Sequence, residues 1–148
     1  MIIQEPIINY LSGQGSLDLN GKTNYRIMVL GAPKTGKTSI VRQFLYDQFN
    51  EKHKETMDDM YRGEFEDSCG KSVNFDIQDV GGKYVYEFPS MRLVSLKSAD
   101  AFVLVFSLDD AKTWEETYKL RDMIIDAKVN NQSTIVNKQL CVSLFKET

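Results

Sequence analysis

Residues Gly31-Ala32-Pro33-Lys34-Thr35-Gly36-Lys37-Thr38 spell G-x-x-x-x-G-K-[ST] in full. This is the pattern of a loop that cradles phosphates. Glycines let the backbone wrap closely around an anion, and N–H groups at a helix N-terminus supply positive potential. A lysine placed as Lys37 is reaches β- and γ-phosphates, and a hydroxyl placed as Thr38 is ligates Mg²⁺. The plain alternative is a glycine turn before an ordinary helix, but a lysine at a buried strand–helix turn is otherwise costly. A second signal is Asp79-Val80-Gly81-Gly82. An acidic residue at a strand end beside the P-loop strand can hold Mg²⁺ through water, and Gly82 can bring its N–H to a γ-phosphate. Alone, D-x-x-G is weak. Downstream of a P-loop it is strong.

The elements around these motifs must put them on one edge. Tyr25–Leu30 is a short apolar run bounded by Gly31 and reads as a buried strand. Ile40, Val41, Phe44, Leu45 and Phe49 recur at helical spacing, which predicts a helix from Lys37 to about Asn50. The segment Asn50–Asp59 is charged and irregular and reads as a loop. Tyr61–Glu66 and Val73–Gln78 alternate like strands about a turn at Ser68–Lys71, so the pair reads as a hairpin. A short helix is expected over about Pro89–Leu96. Ala101–Phe106 is the most apolar run and reads as a central strand. Asp109 or Asp110 caps a following helix to about Lys128, with Trp114, Leu120, Met123, Ile124 and Ile125 on or near one face. Gln139–Phe145 reads as a last strand. Alternation of this kind implies an α/β layered fold with a mainly parallel sheet and right-handed crossovers.

Composition sets wide bounds. The chain has 148 residues, 42% hydrophobic and 26% charged, which fits one domain. Residues 1–24 lack sustained periodicity and read as a flexible leader to a domain over 25–148. A net charge of -3 gives no reason to expect nucleic acid or an anionic membrane as the main partner. Cys69 and Cys141, without a CxxC, suggest free thiols in a reducing compartment. A metal site from His53 and both cysteines is the competing reading. No run approaches the ~18 apolar residues of a membrane span, and neither a myristoylation glycine nor a prenylation box is found. A cytoplasmic monomer is therefore expected.

With these motifs in order, the span Tyr25–Lys128 resembles the Ras superfamily of small GTPases, specifically the Ras branch. The resemblance rests on the P-loop, the loop threonine Thr56, the Asp79–Gly82 motif and the strand Ala101–Ser107 followed by Leu108-Asp109-Asp110. Phe88–Arg92 with Ala101–Ser107 looks most like the dexamethasone-induced Ras subgroup. The resemblance implies a three-layer P-loop NTPase fold and a GTP-binding switch acting in signal transduction, with Mg²⁺ as cofactor.

Residue by residue, it assigns nucleotide contacts to Gly31, Ala32, Pro33, Lys34, Thr35, Gly36, Lys37, Thr38 and Ser39, and further to Phe49, Thr56, Asp79 and Gly82. Phe49 matches an aromatic that packs on the guanine ring; the other reading is a core phenylalanine at the helix end. Thr56 matches the switch threonine that closes on Mg²⁺ and the γ-phosphate; the other reading is a solvated loop hydroxyl. Metal contact falls to Thr38 and Thr56, and to Asp79 through water. Catalytic parts fall to Lys37, Thr56, Gly82 and the residue after it, Lys83. Glu51–Met60 and Gly82–Met91 are expected to form the two switches that meet effectors and regulators. Family members are often at the plasma membrane.

Three positions depart from the family. Lys83 stands where a glutamine usually orients the attacking water. A charged lysine cannot accept a hydrogen bond from water, so slow hydrolysis is expected. Pro33 stands where many members have glycine; it lacks an N–H and adds a ring where a partner's arginine finger would approach. Asn137-Lys138-Gln139-Leu140 begins the guanine-reading Asn-Lys-x-Asp but offers leucine where the aspartate belongs. The family's last strand or strands and final helices are not found after it, so a C-terminally truncated or alternatively spliced product is expected. Two other functions compete. One is a non-hydrolysing Ras-like interaction module without effective guanine specificity. The other is a P-loop kinase for a small molecule, disfavoured because Arg42, Arg62, Arg92 and Arg121 form no lid-like cluster in the sequence.

Overall fold

Strand β1, Asn24–Gly31, carries five consecutive buried residues from Ile27 through Gly31 and, near its start, a buried Tyr25. Such a run needs cover on both faces, which is what a strand inside a parallel sheet receives. A computed structural model of the chain describes residues 24–49, 56–66, 70 and 72–129, and the backbone of 139–144. Within it the further elements are α1 (Lys37–Tyr46), β2 (Asp58–Glu66), β3 (Ser72–Val80), α2 (Pro89–Ser98), β4 (Ala101–Ser107), α3 (Ala111–Val129) and β5 (Gln139–Leu144).

The five strands are ordered β2-β3-β1-β4-β5. β2 runs antiparallel to β3, and every other pairing is parallel. This is the expected α/β fold of P-loop type, with the hairpin where the alternation of β2 and β3 predicts it. Tyr25, Ile27 and Val29 face one side with Phe75, Ile77 and Val103, where Ile40, Val41 and Phe44 of α1 close the layer. Met28 and Leu30 face the other side with Val80, Phe102 and Leu104, covered by Leu96 of α2 and by Leu120, Ile124 and Ala127 of α3.

Several boundaries differ from expectation. α1 stops at Tyr46, short of Asn50, because Asp47 turns into the left-handed region (φ 51°) and its N–H closes on the Gln43 carbonyl. β2 begins at Asp58, two residues inside the expected loop, because pairing with Val80 and Asp79 extends it. Asn24, expected in the leader, starts β1 by pairing with Asn74. α2 runs to Ser98. Asp110 caps α3: its Oδ1 accepts the Lys112 N–H at 3.0 Å. The buried stripe of α3 is Thr113, Thr117, Leu120, Ile124 and Ala127. Trp114 and Ile125 lie off it, 40% and 44% exposed, and Trp114 rests edge-on against Phe106 instead. The leader before Asn24, His53, Cys69 and the Cys141 side chain lie outside the described residues.

Candidate functional site

The parallel register brings the chemistry to one edge. Gly31 pairs with Val105, and Val29 pairs with Asp79. The turn out of β1 and the end of β3 therefore emerge side by side at the carboxyl ends of the strands, where open α/β sheets hold ligands.

The loop has little freedom. A Cβ on Gly31 would lie 2.1 Å from the Val105 carbonyl oxygen, so only glycine passes there. The Thr35 hydroxyl donates to the Ala32 carbonyl at 2.9 Å and closes the loop on itself. Lys34 (φ 62°) and Gly36 (φ 89°) both take the left-handed conformation. For lysine that conformation is strained, as is common at functional loops. Pro33 and Lys34 are exposed, and Ser39 is half-buried in the first turn of α1.

Lys37 is only 7% exposed. Its ammonium donates to the carbonyls of Gly31 at 3.0 Å and Ala32 at 2.8 Å. Burial lowers its pKa to about 8, against a smaller pull upward from the Asp79 carboxylate. A cation so desolvated, held by two loop carbonyls at the head of a helix, is a receptor for anionic oxygen.

Opposite it, Asp79 is fully buried. The Thr38 hydroxyl donates to its Oδ2 at 2.5 Å. Thr38 Oγ1 also lies 2.8 Å from Thr56 Oγ1; since the Thr38 proton goes to the carboxylate, Thr56 is the donor of that pair. Asp79 Oδ1 has no hydrogen-bond partner. Burial raises the Asp79 pKa above the ordinary value, opposed by the Thr38 hydrogen bond and the Lys37 charge, with Asp59 and Asp58 adding to the rise. Three hard oxygen donors thus converge, one buried carboxylate oxygen is left unsatisfied, and negative potential collects there. That donor set fits a divalent cation such as Mg²⁺. Among the described residues no three His, Cys, Asp or Glu side chains cluster as a metal site.

The two glycines after Asp79 are placed by close approach. A Cβ on Gly81 would lie 2.0 Å from the Met57 carbonyl oxygen, and one on Gly82 would lie 2.5 Å from the Pro33 nitrogen. Gly82 therefore packs directly on the P-loop. Lys83 is exposed just beyond it.

Phe49 is 68% exposed, which removes its reading as a core residue. Thr56 is half-buried and hydrogen-bonded to Thr38 rather than a solvated loop hydroxyl. Residues 51–55 of the first expected switch, and Asn137 and Lys138, lie outside the described residues. Gln139 and Leu140 are inside β5, level with Phe102 and Val103. They are inside the strand and not in a loop beyond the strand ends, where the turn from Ala32 onward lies.

Sequence reading passed over one pair. Arg92 of α2 is buried and its Nη1 lies 3.1 Å from Asp58 Oδ2. Nothing local in the sequence marks it, because the partners are joined only by the fold. A surface cleft lined by Arg26, Arg62, Asp76 and Asp100 lies at the other end of the strands and holds none of these residues.

The fold and the loop geometry are those of a P-loop protein. The Ras family model matches residues 26–141, and the chain belongs to the Ras family. It is similar to the GTP-binding protein Rhes of mouse, rat and human, at 37% identity over 117 residues in each case. The matched span covers 79% of this chain and 43% of each relative, so the chain spans less than half the length of these proteins.

Proposed function

We propose that the chain is a GTP-binding molecular switch of Ras type with slow GTP hydrolysis, acting in signal transduction. The observation that carries this reading is the convergence of Thr38, Thr56 and Asp79 beside Lys37, with Asp79 Oδ1 buried and unpartnered. Its support from comparison is the Ras family match and the similarity to a protein named for GTP binding.

On this reading the loop N–H groups from Lys34 to Thr38 and the Lys37 ammonium hold the phosphates, and Ser39 lies next along the helix start. Thr38, Thr56 and, through water, Asp79 would hold Mg²⁺, which would supply neutralising charge at the phosphates. Thr56 and the Gly82 N–H are the groups that sense a γ-phosphate, because each sits on a segment entering the site from a different strand. Phe49 offers an exposed ring for the base. Lys83 stabilises phosphate charge but does not orient water, so turnover is slow. Met57, Met60, Tyr86, Phe88 and Met91 are exposed. They give the segments Glu51–Met60 and Gly82–Met91 apolar surface for effectors and regulators.

A second reading is supported by the position of Leu140. Its residue type offers no acceptor, and β5 carries it level with Val103 instead of past the strand ends. A Ras-like interaction module with weak base selectivity would result. One experiment tests both. Binding of labelled GTP and ATP with Mg²⁺ is measured, followed by single-turnover phosphate release. GTP-selective binding with slow release is the expected result. Equal binding of ATP removes guanine specificity, and no release from bound GTP favours the interaction module.

A further inference from the structure

Arg92 is 8% exposed, so its guanidinium must find partners inside the protein. It finds three. Nε donates to the Val85 carbonyl at 3.3 Å, Nη2 donates to the Tyr84 carbonyl at 3.4 Å, and Nη1 meets Asp58 Oδ2 at 3.1 Å. The other Asp58 oxygen accepts the Gly81 N–H at 3.1 Å. Arg92 and Asp58 thus bracket three separate stretches: the start of β2, the Asp79–Gly82 motif, and the turn Tyr84–Val85. That turn is itself closed by Tyr84 N–H to the Gly81 carbonyl at 2.9 Å. Thr56 lies two residues before Asp58, and Gly82 directly follows Gly81.

We infer that the Arg92–Asp58 pair is a latch that couples the Thr56 segment to the Gly82 segment, so that the two report a γ-phosphate together rather than singly. The physical reason is the cost of an unpaired buried cation. Arg92 is satisfied only while Asp58 and the Tyr84–Val85 carbonyls are both in place. Movement of either segment alone strands a desolvated charge, so the favoured arrangements are both in or both out. Arg92 and Asp58 are positioning residues: each acts on the nucleotide only through Thr56 and Gly82. The inference rests on the reading of Thr56 and Gly82 given above.

The test uses the full chain as wild type, Asp58→Asn, Asp58→Glu and Arg92→Lys. Affinities for GDP and for a non-hydrolysable GTP analogue are measured with Mg²⁺. Asp58→Asn keeps an acceptor for Gly81 but removes the charge facing Arg92. It should lose about fivefold or more of the preference for the GTP analogue while GDP affinity stays within about twofold, the scale of a modest coupling. Arg92→Lys cannot span two carbonyls and a carboxylate and should lose preference likewise. Asp58→Glu should retain it. An unchanged preference in Asp58→Asn, or an equal loss for both nucleotides, overturns the latch. If the wild type binds neither nucleotide, the functional reading fails by itself. Hydrogen exchange of the nucleotide-free chain then decides the latch: Asp58→Asn must speed exchange over 56–60 and 81–86 together, and loosening of 56–60 alone refutes it.

Discussion

Thr38 donates its hydroxyl proton to Asp79 Oδ2 across 41 residues of sequence, while Oδ1 of the same carboxylate is buried without a partner. A carboxylate satisfied on one oxygen only is an unfavourable element of a folded core. An unsatisfied buried polar atom costs roughly 1–3 kcal/mol. The fold retains it at the edge where the P-loop, Thr56 and the Asp79–Gly82 motif meet.

Asp79→Asn follows directly. The amide keeps an acceptor for Thr38 and removes a desolvated charge. The nucleotide-free variant should melt no lower than wild type, with a gain of up to about 1 kcal/mol. Nucleotide affinity, compared in Mg²⁺ and in EDTA, should lose most of its dependence on the metal. A variant that still gains as much from Mg²⁺ as wild type would refute the assignment of Asp79 to the cation.

Two glycines, Gly82 just after β3 and Gly63 within β2, should respond differently to alanine. At Gly82 the new Cβ would meet the Pro33 backbone nitrogen at 2.5 Å, and backbone cannot step aside without moving the P-loop. At Gly63 it would meet Leu45 Cδ2 at 2.6 Å, the far end of a flexible side chain. Gly82→Ala should destabilise by about 1–3 kcal/mol and weaken nucleotide binding, and Gly63→Ala should cost about 1 kcal/mol or less. Denaturant melts of both variants check the order.

Tyr86 carries a pH dependence. Its hydroxyl donates to the Glu116 carboxylate and ties the segment after Gly82 to α3. Burial, and then the Glu116 hydrogen bond and charge, raise its pKa well above the ordinary 10.0. The folded form therefore holds the proton longer than the unfolded chain does. The contribution is fully present below pH 10 and is lost as pH rises toward the folded value. Melting temperatures followed from pH 8 upward should fall more steeply above about pH 10 in wild type than in Tyr86→Phe. Parallel curves for the two proteins would exclude the effect.

Lys83→Gln restores a side chain that both donates to and accepts from water. Single-turnover phosphate release should rise by up to about 100-fold, the scale on which correct orientation of one reacting group acts. Release at the wild-type rate would mean that Lys83 is not what limits hydrolysis.

The sequence by itself determined the P-loop, the Asp79–Gly82 motif and the order of elements. These are written in contiguous residues: a glycine-lysine pattern, a run from Tyr25 to Leu30 apolar enough for both faces, and the alternation of Val73–Gln78. Helix ends were less legible, because α1 is stopped by the backbone conformation of Asp47 and not by glycine or proline. Trp114 and Ile125 lie off the buried stripe of α3, since apolar residues on a helix do not say which of two neighbouring stripes meets a sheet. Only the tertiary structure decided that Thr38, Thr56 and Asp79 share one network, that Gly82 rests on Pro33, and that Arg92 reaches Asp58. Each depends on strand order and register, which bring residues far apart in sequence within hydrogen-bond reach. Burial then gives those contacts their weight, by taking Lys37, Asp79 and Arg92 out of water and leaving each dependent on the partners the fold supplies.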